Sequence, residues 1–217
     1  MGDPAALEVL RARIRALEGG GVVRRRRARC GVDALDEALG GLPVPGIVEI
    51  SGPEGSGRTR TALAVAARLT AAGRSVAWID PCSRLYPPAA ADQGVELGRL
   101  LIVRPVEDGS TPWAWVTEQV ARSGCFPLVV IDLPERTGSR RSLSHGWARA
   151  VEQGGCTLLV VSRRPTRELP ADARLVAGGG HLVVVRDRAG AQQQEVALPG
   201  LSSAADPLLV PLERRGA

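Results

Sequence analysis

Between Gly31 and Thr59 the chain reads as a short helix closed by two glycines, then an apolar run, then a glycine-rich loop that opens a second helix. Leu35 and Leu39 mark the first helix, Gly40-Gly41 its end, and Ile47 to Ile50 the apolar run. Gly52, Pro53, Glu54, Gly55, Ser56, Gly57, Arg58 and Thr59 follow the pattern G-x-x-x-x-G-K-[ST] with one departure, an arginine in the lysine position. Strand, glycine loop and helix in this order present consecutive backbone N–H groups and a helix N-terminus to a phosphate. The stretch therefore predicts an α/β domain with the apolar run as a strand of its sheet.

The rest of the chain agrees with that prediction. Arg60 to Ala72 carries Leu63, Val65, Ala66 and Leu69 at helical spacing and stops at Gly73. Val76 to Asp80, Leu100 to Val103, Leu128 to Asp132 and Thr157 to Val161 read as strands, the first and third ending in an acid. Pro81 to Ala91 reads as irregular. Helices are expected from Thr111-Pro112 to Arg122 and from Ser142 to Gln153. Leu182 to Arg186 and Glu195 to Leu198 form an expected hairpin across Arg188-Ala189-Gly190. Strands alternating with helices imply a mainly parallel sheet covered on both faces, with an antiparallel hairpin at its C-terminal end.

An N-terminal helix begins at Asp3-Pro4 and places Leu7, Leu10, Ile14 and Leu17 on one stripe before Gly19-Gly20-Gly21. That stripe can pack on the chain's own core or on a neighbouring subunit, so self-association through this helix is one expectation. The expected organisation is residues 1–30 as N-terminal helix and basic linker, 31–201 as core and 202–217 as tail.

Charge is placed unevenly. Residues 1–30 hold eight arginines against three acids, whereas the remainder is balanced, and the chain contains no lysine at all. Arg24, Arg25, Arg26, Arg27 and Arg29 form a run that suits nucleic acid phosphates or an acidic partner, and equally a solvated charged segment. The four cysteines are scattered and form no C-x-x-C pair, which argues against a zinc site or a disulfide framework. No apolar segment approaches the length of a membrane span, so the expectation is a cytoplasmic protein with no membrane partner.

Gly31 to Thr59, taken with Val129-Val130-Ile131-Asp132, resembles the RecA core family of P-loop NTPases, and a looser likeness continues to about Arg186. The resemblance implies a site in which residues 52–59 hold ATP, and Thr59 and Asp132 hold its magnesium. Three positions depart from it. Besides Arg58, the strand after the loop helix continues Ile79-Asp80-Pro81-Cys82 where the family has a catalytic glutamate in the place of Cys82. Val160-Val161-Ser162-Arg163 stands where the family closes a strand on a phosphate-sensing glutamine. The family's adenine-stacking tyrosine would fall near Ala89, with Tyr86 close by. These departures suggest a fold retained without hydrolysis, with ATP and magnesium at most bound and not turned over.

Small degenerate RecA-like proteins of this layout resemble the ImuA family. That likeness implies as partners RecA, or an inactive Y-family-like polymerase subunit together with a DnaE-type error-prone polymerase, in the DNA-damage (SOS) response and translesion synthesis. The RecA likeness also marks two loops as DNA contacts, here the stretch with Arg140 and Arg141 and the stretch from Arg163 to Arg174 with Arg163, Arg164 and Arg167. Single-stranded DNA is accordingly a further expected partner. Two other readings stay open: an active DNA-dependent ATPase in which Asp80 or Glu54 replaces the lost glutamate, and a non-specific DNA-binding module built on the Arg24 to Arg29 run.

Overall fold

The computed structural model describes residues 26–105, 112–134, 143–166, 169–187 and 194–197. The expected helix before Gly19, the tail from Ser202, and Arg24, Arg25, Arg140, Arg141 and Arg167 lie outside these residues.

The order of elements is β1 (Arg26–Ala28), α1 (Asp33–Leu39), β2 (Leu42–Val44), β3 (Gly46–Ser51), α2 (Arg58–Ala71), β4 (Val76–Ile79), α3 (Pro87–Asp92), β5 (Leu100–Val103), α4 (Trp113–Arg122), β6 (Leu128–Asp132), α5 (Leu143–Gly154), β7 (Thr157–Ser162), β8 (Ala173–Gly178), β9 (His181–Asp187) and β10 (Gln194–Ala197). Eight strands form one sheet in the order β10-β9-β8-β3-β7-β6-β4-β5. From β8 to β5 every pairing is parallel, and β9 and β10 add antiparallel strands at one edge. The expected mainly parallel α/β sheet with a C-terminal hairpin is therefore what the chain forms.

The period of two along the strands divides the core into two layers. Val48, Ile50, Trp78, Val130, Leu159 and Val161 face one side, where α1 and α2 cover them through Leu35, Leu39, Ala62, Val65 and Ala66. Ile47, Ala77, Ile79, Val129, Ile131, Leu158 and Val160 face the other, beneath Ala121 of α4 and Trp147, Ala150 and Val151 of α5. The strands are apolar on both faces because both are covered, which is why they read as unbroken runs.

Local chemistry sets the element ends. Asp36 turns back from α1 to accept the N–H groups of Cys30 and Gly31 at 2.8 and 3.0 Å, and Gly40 ends the helix with φ 67°. The approach of α5 to α4 leaves no room for a side chain at Gly154, where a Cβ would run into the Ala121 carbonyl.

Four expectations need correction. Arg26–Ala28 is no linker: it pairs antiparallel with Leu42–Val44, and Arg27 donates to the Gly41 carbonyl at 3.0 Å and ion-pairs with buried Asp187. Pro87–Asp92 is helical where irregular chain was expected, since prolines at the first turn cost no hydrogen bond and three alanines follow. The strand β8 was not anticipated at all. Finally, the stretch from Arg163 to Arg174 is not all loop: Arg174 lies in β8, where its guanidinium pairs with Glu49 at 2.9 Å in the interior.

Candidate nucleotide-binding site

The carboxyl ends of β3, β4, β6 and β7 lie side by side, and in an open parallel sheet that end is where ligands bind. Around it gather the loop Gly52 to Thr59, Asp80 after β4, Asp132 at the end of β6 and Arg163 after β7. The sequence is compatible with the loop conformation because glycines stand where the backbone turns left-handed, at Gly55 (φ 75°) and Gly57 (φ 89°). Gly52 packs so tightly that a Cβ would lie 2.5 Å from both the Ala177 carbonyl and Ser56 Oγ.

Arg58, the first residue of α2, is buried. Its Nη1 donates to the carbonyls of Gly52 and Pro53, at 2.5 and 2.6 Å. The side chain thus bends back and closes on the loop that carries it. At the first turn of the helix the backbone N–H groups of Arg58 and Thr59 have no acceptor within the helix, so the main-chain part of the cradle persists. Thr59 itself is half-buried at the helix start.

Asp132 is buried, and Arg84 Nε lies 3.5 Å from its Oδ2. Burial pushes its carboxyl above the ordinary value, Asp80 adds to that push, and Arg84 and then Arg58 oppose it. Oδ1 of the same residue is buried with no hydrogen-bond partner. Arg84 was not anticipated from the sequence; the available signal was a cation four residues after the strand-end acid Asp80. Asp80 is fully buried and structural. Its oxygens accept the N–H groups of Arg84 and Leu85 and the Nε of Arg104, at 2.8, 3.1 and 3.2 Å. A carboxylate so engaged is spoken for by the turn and is poorly suited to deprotonating a water. Glu54, the other suggested substitute base, is 67% exposed and pairs across the mouth of the loop with Arg163 at 3.3 Å. Cys82 is exposed and brings no carboxylate to the site.

Over residues 21–136 the chain matches the RecA N-terminal domain family. The chain belongs to that family. Among similar proteins are three each called Protein RecA. That of Caulobacter vibrioides (strain NA1000 / CB15N) is 42% identical over 100 residues, which is 45% of this chain and 28% of the relative. That of Nocardia farcinica is 39% identical over 138 residues, 58% of this chain and 39% of the relative. For Streptomyces avermitilis the figures are 36% over 138 residues, 58% and 36%. The chain therefore matches well under half the length of these relatives.

Judged as a RecA-family site, the residues do not fit a magnesium nucleotide in the arrangement they adopt. The cation expected to reach the phosphates is folded onto the loop carbonyls, and the acid expected to hold the metal faces a guanidinium. Among the described residues no group of three His, Cys, Asp or Glu side chains could hold a metal ion.

Among the described residues, the arginines assigned to DNA stand in two groups. Arg27 and its partner Asp187 lie beside Ala173, which pairs with Val48 near the start of β3; Arg163 follows Ser162, which pairs with Ser51 at its end. Arg26, Arg29 and Arg164 are exposed. The described members of the two groups thus lie toward opposite ends of the sheet. No helix among the described residues is long and apolar enough to cross a membrane.

Proposed function

We propose that the chain is a non-hydrolysing RecA-like accessory protein of DNA-damage tolerance, acting through protein contacts. The observation that carries this reading is Arg58: its guanidinium is engaged by the carbonyls of Gly52 and Pro53 in the loop that carries it. A planar arginine fork is no simple exchange for a compact ammonium at such a site. The exposed Cys82 in the position of the catalytic glutamate and Arg163 in that of the sensor glutamine support it further. The partners that suit such a protein are RecA, or the inactive Y-family-like subunit and DnaE-type polymerase of an ImuA-like translesion complex.

The likeness to relatives named Protein RecA is equally compatible with the rival, an active DNA-dependent ATPase of the recombinase type. Phosphate release with and without single-stranded DNA separates the two. Release at the level of a protein-free control is expected; DNA-stimulated release that Arg58→Ala abolishes would overturn the proposal. Pull-down with RecA and with both polymerase subunits tests the partners, and failure to capture any of them removes the accessory role.

A further inference from the structure

Asp80 and Asp132 end neighbouring strands, and each faces an arginine: Arg104 Nε lies 3.2 Å from Asp80 Oδ2 and Arg84 Nε 3.5 Å from Asp132 Oδ2. Arg84 is held there by contacts of its own. Ser83 takes a left-handed φ of 52° that turns the chain, and the Arg84 N–H donates to Asp80 Oδ1 at 2.8 Å. Its Nη2 donates to the carbonyl of Leu133, the residue after Asp132, at 3.1 Å. Arg84 is thus fastened by its backbone to the β4 turn and by its guanidinium to the exit of β6.

From these contacts we propose that Arg84 is the resident counter-ion of Asp132, taking the part a divalent cation plays elsewhere in the family, so that the site neither needs nor takes a metal. Two buried carboxylates are met by two arginines, and Arg58 acts on Asp132 as well. An added dication at buried Asp132 would meet the guanidinium groups of Arg84, itself partly exposed, and of buried Arg58 as like charges. Of the two side chains the family resemblance gives to magnesium, Thr59 stands half-buried at the helix start, and Asp132, only 6% exposed, offers just its unpartnered Oδ1 because Oδ2 faces Arg84; the other positions would fall to water.

The inference rests on the reading of this site as non-hydrolysing, but its test involves no turnover. The full-length protein without nucleotide is titrated with Mn²⁺ and bound metal is read by electron paramagnetic resonance. The wild-type chain is expected to show no saturable binding. Arg84→Ala is expected to gain saturable binding, at least about tenfold tighter than any residual association of the wild-type chain, as removing one like charge at this range implies, and adding Asp132→Asn is expected to abolish it. Arg84→Lys, which keeps the charge, is expected to stay silent. Saturable Mn²⁺ binding by the wild-type chain that Asp132→Asn removes would overturn the proposal, as would a folded Arg84→Ala that gains nothing. Arg84→Gln replaces Arg84→Ala if circular dichroism shows the latter unfolded, with the same two outcomes. A protein that releases phosphate yet ignores Mn²⁺ defeats the proposed function alone; one that binds Mn²⁺ at Asp132 without releasing phosphate defeats this inference alone.

Discussion

Asp132 carries a cost that depends on pH. Because its carboxyl is pushed above the ordinary 3.8, chiefly by burial, the folded chain keeps that proton to a higher pH than the unfolded chain does. Its contribution to stability is full below 3.8 and is lost as pH rises through the raised value. Asp132→Asn does not titrate, so its urea-unfolding free energy is expected to gain on that of the wild-type chain across this window, by at most about 1.4 kcal/mol per pH unit. A constant difference at all pH values would show that the carboxyl does not titrate on folding. At this scale the sequence shows which residues fill the motif positions, as at Arg58 and Cys82. It was illegible where a partner comes from far along the chain. Nothing near Glu49 announces that its carboxylate accepts the Ser162 hydroxyl and the Thr166 N–H, at 3.1 and 2.7 Å, besides pairing with Arg174. Arg84 is the same case, readable only once β4 and β6 are known to be neighbours.

Elements that bury an unbroken apolar run, such as β6 and β7, were plain from their residues alone. By contrast β8 was hidden: Ala173, Leu175 and Ala177 are small or isolated apolar residues alternating with Arg174 and running into Gly178. What makes the segment a strand is its neighbours, β3 on one side and β9 on the other, which bury those residues completely. Tertiary context decides strand formation more than local preference does. The same dependence on a neighbour governs α5. Gly154→Ala must push the end of α5 away from Ala121, and is expected to lower the urea-unfolding free energy by about 1–3 kcal/mol. Gly98→Ala meets nothing within 4 Å and carries no left-handed strain, so it is expected to be neutral or to stabilise by up to about 1 kcal/mol. Equal effects at the two positions would mean that α4 and α5 are not as closely apposed as the structure has them.

Over the whole molecule, two thiols report on whether both core layers open together. Cys30 lies in the layer under α1 and α2 and is pushed up to about 12; Cys156 lies in the opposite layer and is pushed up to about 11, in both cases chiefly by burial. Cys82 and Cys125 are exposed. Alkylation at pH 8 is expected to modify Cys82 and Cys125 in the native chain at once, and Cys30 and Cys156 only at the rate of unfolding and at equal rates in the two layers. Mass spectrometry of timed samples checks this, and early labelling of Cys30 alone would mean that the first layer opens by itself. The position of β3 has a consequence for how such a chain is made. Its residues 46–51 emerge early from the ribosome, yet both strands that flank them, at 157–162 and 173–178, are synthesised more than 100 residues later. Closing such long loops is slow. Until those strands are made, the glycine loop therefore hangs from a strand with neither flanking partner, an apolar segment that other nascent chains or a chaperone can reach before its own sheet does.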